Sequence, residues 1–213
     1  MNARPAPESA AAGAPPAVDS GASGRRRELL SIAAELFAER GLRATTVRDI
    51  AEAAGILSGS LYHHFASKEA IVDEILSDFL DGLFGEYRRI VDSDESARVK
   101  LEMLIRSSFQ AIHDRPHDVA IYQDEVKHLR GKPRFGYLGE RNTEFREMWQ
   151  AVLRTGVDDG QFKPELDLQL TYRFLRDTVW VAVRWYRPGG PEDHARVADQ
   201  YLTIVLDGLA VDG

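Results

Sequence analysis

Three features of the sequence predict an all-α fold of about nine helices. Apolar residues recur at spacings of three and four from Arg25 onward, no stretch alternates apolar with polar residues as a half-buried strand would, and prolines separate the periodic runs. Pro116, Pro133, Pro164, Pro188 and Pro191 are those separators, as expected of a residue that breaks helix interiors.

Taken in order, residues 1–24 hold eight Ala, four Pro, three Gly and three Ser, which supply no large apolar anchors, so this arm is expected to be disordered. A first helix is predicted over 25–40, with Leu29, Leu30, Ala33, Leu36 and Phe37 inward and Gly41 at its C′ position. Thr45 or Thr46 can cap a short helix carrying Val47, Ile50 and Ala51, which Gly55 breaks. A second short helix from Ser58 carries Leu61, Tyr62 and Phe65. Ser67, followed by Glu69 and Ala70, begins a long amphipathic helix with Ile71, Ile75, Phe79, Leu83 and Phe84 in one stripe. Further helices are predicted from about 96, 118, 140, 167 and 193.

With 213 residues, 44% of them apolar and 29% charged, the chain can bury a substantial core. The absence of cysteine excludes disulfides, CxxC redox chemistry, iron–sulfur clusters and a cysteine nucleophile, and fits a reducing cytoplasm. Neither a run of about 18 apolar residues nor a signal-peptide pattern occurs. The expectation is a soluble, cytoplasmic protein without a membrane partner. A net charge of -7 argues against nucleic acid as a partner, but the charge is unevenly spread: 25–70 carry a net +1 and 71–213 a net -7. In the smaller unit Arg25, Arg26, Arg27, Arg43, Arg48 and Lys68 can gather into a phosphate-binding face.

That unit reads as helix, turn, helix. Gly55 supplies the turn; Leu61 and Phe65, four apart, face inward, which leaves Ser58, Gly59, Ser60, Tyr62 and His63 for base edges and phosphates. Lys68 and the amides after Ser67 lie at a helix N-terminus, where the dipole favours phosphate. The block TTVRDIAEAAGILSGSLYHHFASKEAIVDEIL, residues 45–76, resembles the operator-binding region of TetR-family transcriptional repressors. The resemblance implies that Thr46, Arg48, Ser58, Gly59, Ser60, Tyr62, His63 and Lys68 touch DNA, Lys68 through a phosphate. One departure is Leu57–Ser58, where family members commonly have Ser followed by Lys or Arg, so no bidentate guanine reader opens the recognition helix. Specificity then leans on Arg48, Tyr62, His63 and DNA shape.

One headpiece makes few contacts, so two copies about 34 Å apart on a palindromic operator are expected, and the body should form a homodimer. The last helix carries two apolar stripes, Val197, Tyr201, Ile204 and Val205 on one side and Ala198, Leu202, Leu206 and Leu209 on the other. Such a helix needs two partners, its own core and a second subunit, unless it lies deep inside a monomer.

Within YRFLRDTVWVAVRWYR, residues 172–187, Arg176, Trp180 and Arg184 are four apart and share one helical face, with no carboxylate three or four residues from either arginine. If that face is partly buried, the guanidiniums need an anion from elsewhere. Either another helix supplies it, for instance from Asp124, Glu125, Glu144 or Glu147, or an anionic ligand does, with Trp180 offering a flat apolar surface. Over most of residues 26–208 the chain is also similar to a subgroup of the TetR family, the actinobacterial repressors of late cholesterol (ring C/D) catabolism genes. This implies a ligand cleft lined by Arg176, Trp180 and Arg184 for an effector, the coenzyme A thioester of a partially degraded steroid, whose binding releases DNA. The organisation is then an arm over 1–24, a helix-turn-helix domain over 25–70, and a ligand-binding and dimerisation domain over 71–213.

Neither a catalytic residue nor a cofactor or metal is expected. His113 and His117 with Asp114 and Asp118 have an i,i+4 look, but Pro116 interrupts them; His63 and His64 point to different faces; Gly189–Gly190 between two prolines is a turn. An enzyme or binding protein acting on CoA esters, and an architectural DNA-binding protein without ligand, are the competing readings.

Overall fold

The computed structural model describes residues 20–209. Among them are nine α-helices, two 3-10 turns and no strand. The helices are α1 (Ser20–Arg40), α2 (Val47–Ala53), α3 (Ser58–His64), α4 (Lys68–Val91), α5 (Ala97–Asp114), α6 (Pro116–Leu129), α7 (Tyr137–Asp158), α8 (Leu168–Trp180) and α9 (His194–Leu209). No helix among the described residues is long and apolar enough to cross a membrane.

Two boundaries correct the sequence reading. α1 starts at Ser20, so 20–24 belong to a helix and not to the arm, because extending a nucleated helix costs little; the remainder of the expected disordered arm, 1–19, lies outside the described residues. Pro116 is the first residue of α6 and not a separator, a position where its missing N–H is harmless.

In the headpiece, α1 to α3 close over Leu29, Ala33, Phe37, Ile50, Ala51, Leu61 and Phe65, all buried. Gly41 (φ +81°) and Gly55 (φ +66°) make the two turns, in a left-handed conformation that a side chain would strain. Thr45 is fully buried, and its hydroxyl is satisfied by the carbonyls of Leu36 at 3.2 Å and Gly41 at 3.0 Å.

The boundary drawn at residue 70 falls inside the first turn of α4, so a continuous helix and not a linker joins headpiece to body. α5 is the body's central helix, packed against α4, α7, α8 and α9. Buried Tyr87 and Ser108 share a 2.6 Å hydrogen bond, and Ser108 donates to the Leu104 carbonyl at 2.7 Å. Burial holds the Tyr87 phenol well above its ordinary value. Phe145 stacks on Trp149 with ring centroids 5.7 Å apart, filling the space between α4 and α7 with Phe84 and Tyr87.

α8 ends at Trp180 and tightens into a 3-10 turn over Val181–Arg184. Val179, Val181, Val183, Trp180 and Trp185 are β-branched or aromatic, so the segment holds an α-helix weakly before Pro188 forbids it. On α9, Ala198, Leu202 and Leu206 are buried while Ile204 is 67% exposed; the Leu209 side chain lies outside the described residues.

Candidate functional site

α2 is held by a capping box. The Thr46 Oγ1 accepts from the Asp49 N–H at 3.2 Å, and the Asp49 carboxylate accepts from the Thr46 N–H at 2.7 Å. The Thr46 hydroxyl and backbone together keep the Asp49 carboxyl below its ordinary value. The cap leaves Arg48 exposed at the start of the helix. On α3 the expected division holds: Leu61 and Phe65 are buried, Gly59, Ser60, Tyr62 and His63 are exposed, and Ser58 is half-buried.

The six cations expected to gather for phosphates do not all do so. Arg25 pairs with Glu28 at 2.7 Å and donates to the Ala54 carbonyl at 3.0 Å. Arg26 binds both oxygens of Glu74 at 2.7 and 2.5 Å, reaches the His64 carbonyl, and lies 4.3 Å over the Phe65 ring. It therefore fastens α1, the end of α3 and α4 together. Arg27 lines a crevice against α4 and α6. Lys68, expected as the phosphate-contacting lysine, donates to the carbonyls of Leu42 at 2.7 Å and Thr45 at 2.8 Å, so two of its three donors are committed within the headpiece. Its position in the first turn of α4 lets it close the turn between α1 and α2, a role hidden in the sequence by the 23 and 26 residues that separate the partners. Arg43 and Arg48 stay exposed.

In the body, Arg176 and Trp180 meet Phe79 and Leu83 of α4, Tyr122 and Gln123 of α6, and Asn142 and Phe145 of α7 around a narrow apolar cavity of about 40 Å³. It holds a few water molecules at most. Trp180 is buried; the Arg176 guanidinium is 5.4 Å from the Tyr172 ring centre and pairs with Asp177 at 2.7 Å. That carboxylate raises the Arg176 pKa. The 3-10 turn rotates Arg184 off the face it was expected to share, because the step from 180 to 184 no longer follows α-helical winding. Arg184 is 69% exposed, pairs with Asp124 at 3.2 Å and does not line the cavity. The expectation of two acid-starved arginines is thus corrected: Asp177 and Asp124 supply the anions, and Asp124 was among the acids foreseen.

A larger crevice of about 360 Å³ separates α1 from α4 and α6, where Leu30, Ala34, Ile75 and Pro116 share the walls with the charged Arg27, Glu74, Asp78, Arg115 and Asp118. His113 Nδ1 shares a 2.6 Å hydrogen bond with the Tyr186 hydroxyl, and His117 lines the crevice. Among the described residues no group of three or more His, Asp or Glu is placed to hold a metal.

Two features were missed. Glu125 of α6 accepts from the Leu42 N–H at 3.0 Å, tying the body to the headpiece. Leu170 and Phe174 on α8, Val181 and Trp185 just after it, and Ile204 on α9 are large apolar side chains left exposed, and the Thr178 and Tyr201 hydroxyls join α8 and α9 at 2.6 Å. The spacing of four between Leu170 and Phe174 is a signal the sequence did carry.

A recognition helix on a small headpiece, stitched at Glu74, Glu125 and Lys68 to a helical body with its own cavity, defines a helix-turn-helix regulator. Residues 29–75 match the model of the tetR family of bacterial regulatory proteins, and 94–209 match the tetracyclin repressor-like C-terminal domain. The chain is 67% identical over 197 residues to the HTH-type transcriptional repressor KstR2 of Rhodococcus jostii (strain RHA1), spanning 92% of this chain and 97% of that one. It is 58% identical over 189 residues to KstR2 of Mycobacterium tuberculosis (strain H37Rv), spanning 89% and 94%. The solved structure of the ketosteroid transcriptional regulator KstR2 of Mycobacterium tuberculosis matches with a TM-score of 0.87 at 57% identity, over 92% of this chain and 98% of that one. The chain belongs to the TetR family; it is a transcriptional repressor of TetR type and not an enzyme.

Proposed function

We propose that the chain binds a palindromic operator as a homodimer and is released from it by the coenzyme A thioester of a partially degraded steroid. One observation carries this reading. The cavity beside Arg176 and Trp180 is walled by α4 and α6, the two helices that also hold the headpiece, through Glu74 and Lys68 on α4 and Glu125 on α6. At about 40 Å³ it cannot admit a two-ring fragment without those walls moving apart. A ligand that binds only the opened body draws the population toward it, and a coupling of about 1–3 kcal/mol is ordinary for such a device.

In this reading the ring fragment enters among Phe79, Leu83 and Phe145, Trp180 lies against it, and Arg176 exchanges Asp177 for a polar group of the ligand. Arg184 exchanges Asp124 for the phosphates of coenzyme A; that pair is exposed and weak, so the exchange costs little. The name of a 57% identical relative, a ketosteroid transcriptional regulator, supports a steroid as the source of the rings. On the DNA side Arg48, Ser58, Gly59, Ser60, Tyr62 and His63 face the operator, and Thr46 fixes the helix that carries Arg48. The headpiece then runs from residue 20, where α1 starts, and the ligand-binding and dimerisation body takes over within α4.

Fluorescence anisotropy on an operator duplex tests the proposal: steroid-fragment CoA thioesters should abolish binding while the free acids act weakly. A complex indifferent to those thioesters would overturn the effector assignment and leave the repressor class intact.

A further inference from the structure

Leu57 breaks two local rules at once. It occupies the N-cap of α3, where a short polar side chain normally accepts a backbone N–H, and it makes no side-chain cap. It is also 80% exposed, the highest value among the large apolar side chains of the described residues. Five of the other seven, Leu170, Phe174, Val181, Trp185 and Ile204, fall on or just after α8 or on α9, the region proposed to meet a second subunit; Leu57 lies on the headpiece, next to Ser58, Gly59 and Ser60. A residue that serves neither its helix nor the core points to a use outside the chain.

The position says what that use is. A helix-turn-helix enters the major groove with the N-terminal end of its second helix, and the extended backbone at Leu57 (φ -72°, ψ 144°) places the residue just ahead of α3 at that end. Base edges in the major groove are lined with donors and acceptors, and the one apolar group that a standard base pair offers there is the C5-methyl of thymine. An isobutyl group has no other chemistry to match on that surface. We infer that Leu57 reads a thymine methyl in each operator half-site, and so takes the place of the guanine-reading side chain missing from the start of the recognition helix. This rests on the assignment of α3 to the groove.

The test uses the full chain and a duplex it selects from a random-sequence pool, with each thymine replaced in turn by deoxyuridine and binding measured by anisotropy. One thymine per half-site should lose about fourfold in affinity with its methyl, and Leu57→Ala should show no loss at that same position. Leu57→Ser supplies the missing cap, so its thermal midpoint should equal or exceed that of the unaltered protein while methyl discrimination disappears; this separates reading from folding. If every deoxyuridine replacement weakens Leu57→Ala as much as the unaltered protein, Leu57 reads no methyl. A chain that selects no duplex at all sinks the groove assignment, and the Leu57 reading with it.

Discussion

The Leu42 N–H, in the turn between α1 and α2, donates to the Glu125 carboxylate of α6 at 3.0 Å, and the Leu42 carbonyl accepts from Lys68 at 2.7 Å. Leu42 of the headpiece is therefore held on both its N–H and its carbonyl by helices that also wall the apolar cavity. Four consecutive residues of α6 divide the work: Tyr122 and Gln123 line the cavity, Asp124 takes Arg184, and Glu125 takes Leu42.

Glu125→Leu should leave operator affinity and effector binding near normal but raise the effector concentration needed for release, by about tenfold if a charge-assisted hydrogen bond carries the coupling. Glu125→Gln, which keeps an accepting oxygen, should behave nearly as the unaltered protein. Effector titrations against an operator complex read the difference. Equal loss of affinity and release in Glu125→Leu would show that Glu125 only stabilises the headpiece.

Lys68→Met keeps the length and removes the donors. Two carbonyls lose their partner, so headpiece stability should fall by about 2 kcal/mol in denaturant unfolding. The slope of log affinity against log salt should stay unchanged, because the ammonium is committed internally. A slope reduced by about one per subunit would return Lys68 to the phosphates.

Arg176→Leu should blunt release by the CoA thioester more than Arg184→Leu does, since only Arg176 lines the cavity. Both changes remove exposed ion pairs and should cost under about 1 kcal/mol of stability. Trp180→Phe is the usable probe of the ring contact, because truncating a buried tryptophan to alanine costs about 3–5 kcal/mol. A reversed order of Arg176 and Arg184 would move the anion site to the outer arginine.

The sequence showed whatever depends on local period and turn chemistry. Ile71, Ile75, Phe79, Leu83 and Phe84 are buried along α4 as their spacing requires, and Gly41 and Gly55 have the positive φ their turns need. What escaped depends on residues far apart in the chain or on a change of winding. From the sequence Lys68 reads as a phosphate contact and Glu125 as a candidate partner for Arg176 and Arg184, because the backbone groups they actually hold are 23 to 83 residues away. Arg184 left its face because β-branched and aromatic residues tightened the helix at Val181, a cooperative effect that a count of four residues ignores.

Asp118 is buried between α4 and α6, and burial raises its carboxyl pKa although Arg115, 2.6 Å away, partly opposes the shift. A folded-state value above the unfolded one means that folding disfavours the charged form, so Asp118 weakens the fold at neutral pH and this penalty fades as the pH falls through that window. Asp118→Asn should therefore gain stability relative to the unaltered protein at pH 7, and the gain should shrink toward pH 4. Denaturant midpoints at several pH values check the trend, and a gain that grows on acidification would contradict it.

Leu170 and Phe174 on α8, Val181 and Trp185 just beyond its end, and Ile204 on α9 are all exposed, and the Thr178–Tyr201 hydrogen bond joins α8 to α9. Burying each large side chain against a second copy contributes about 1.5–3 kcal/mol before the entropy of association is subtracted. A charge placed there would have no partner in the proposed homodimer, so Phe174→Asp and Ile204→Asp should disrupt it strongly yet be mild for the subunit, whose core they do not enter. Sedimentation should show monomers for both variants with nearly unchanged helical content. Operator affinity should fall by orders of magnitude, because one headpiece cannot span two half-sites. A dimer that survives Phe174→Asp would place the interface on another face.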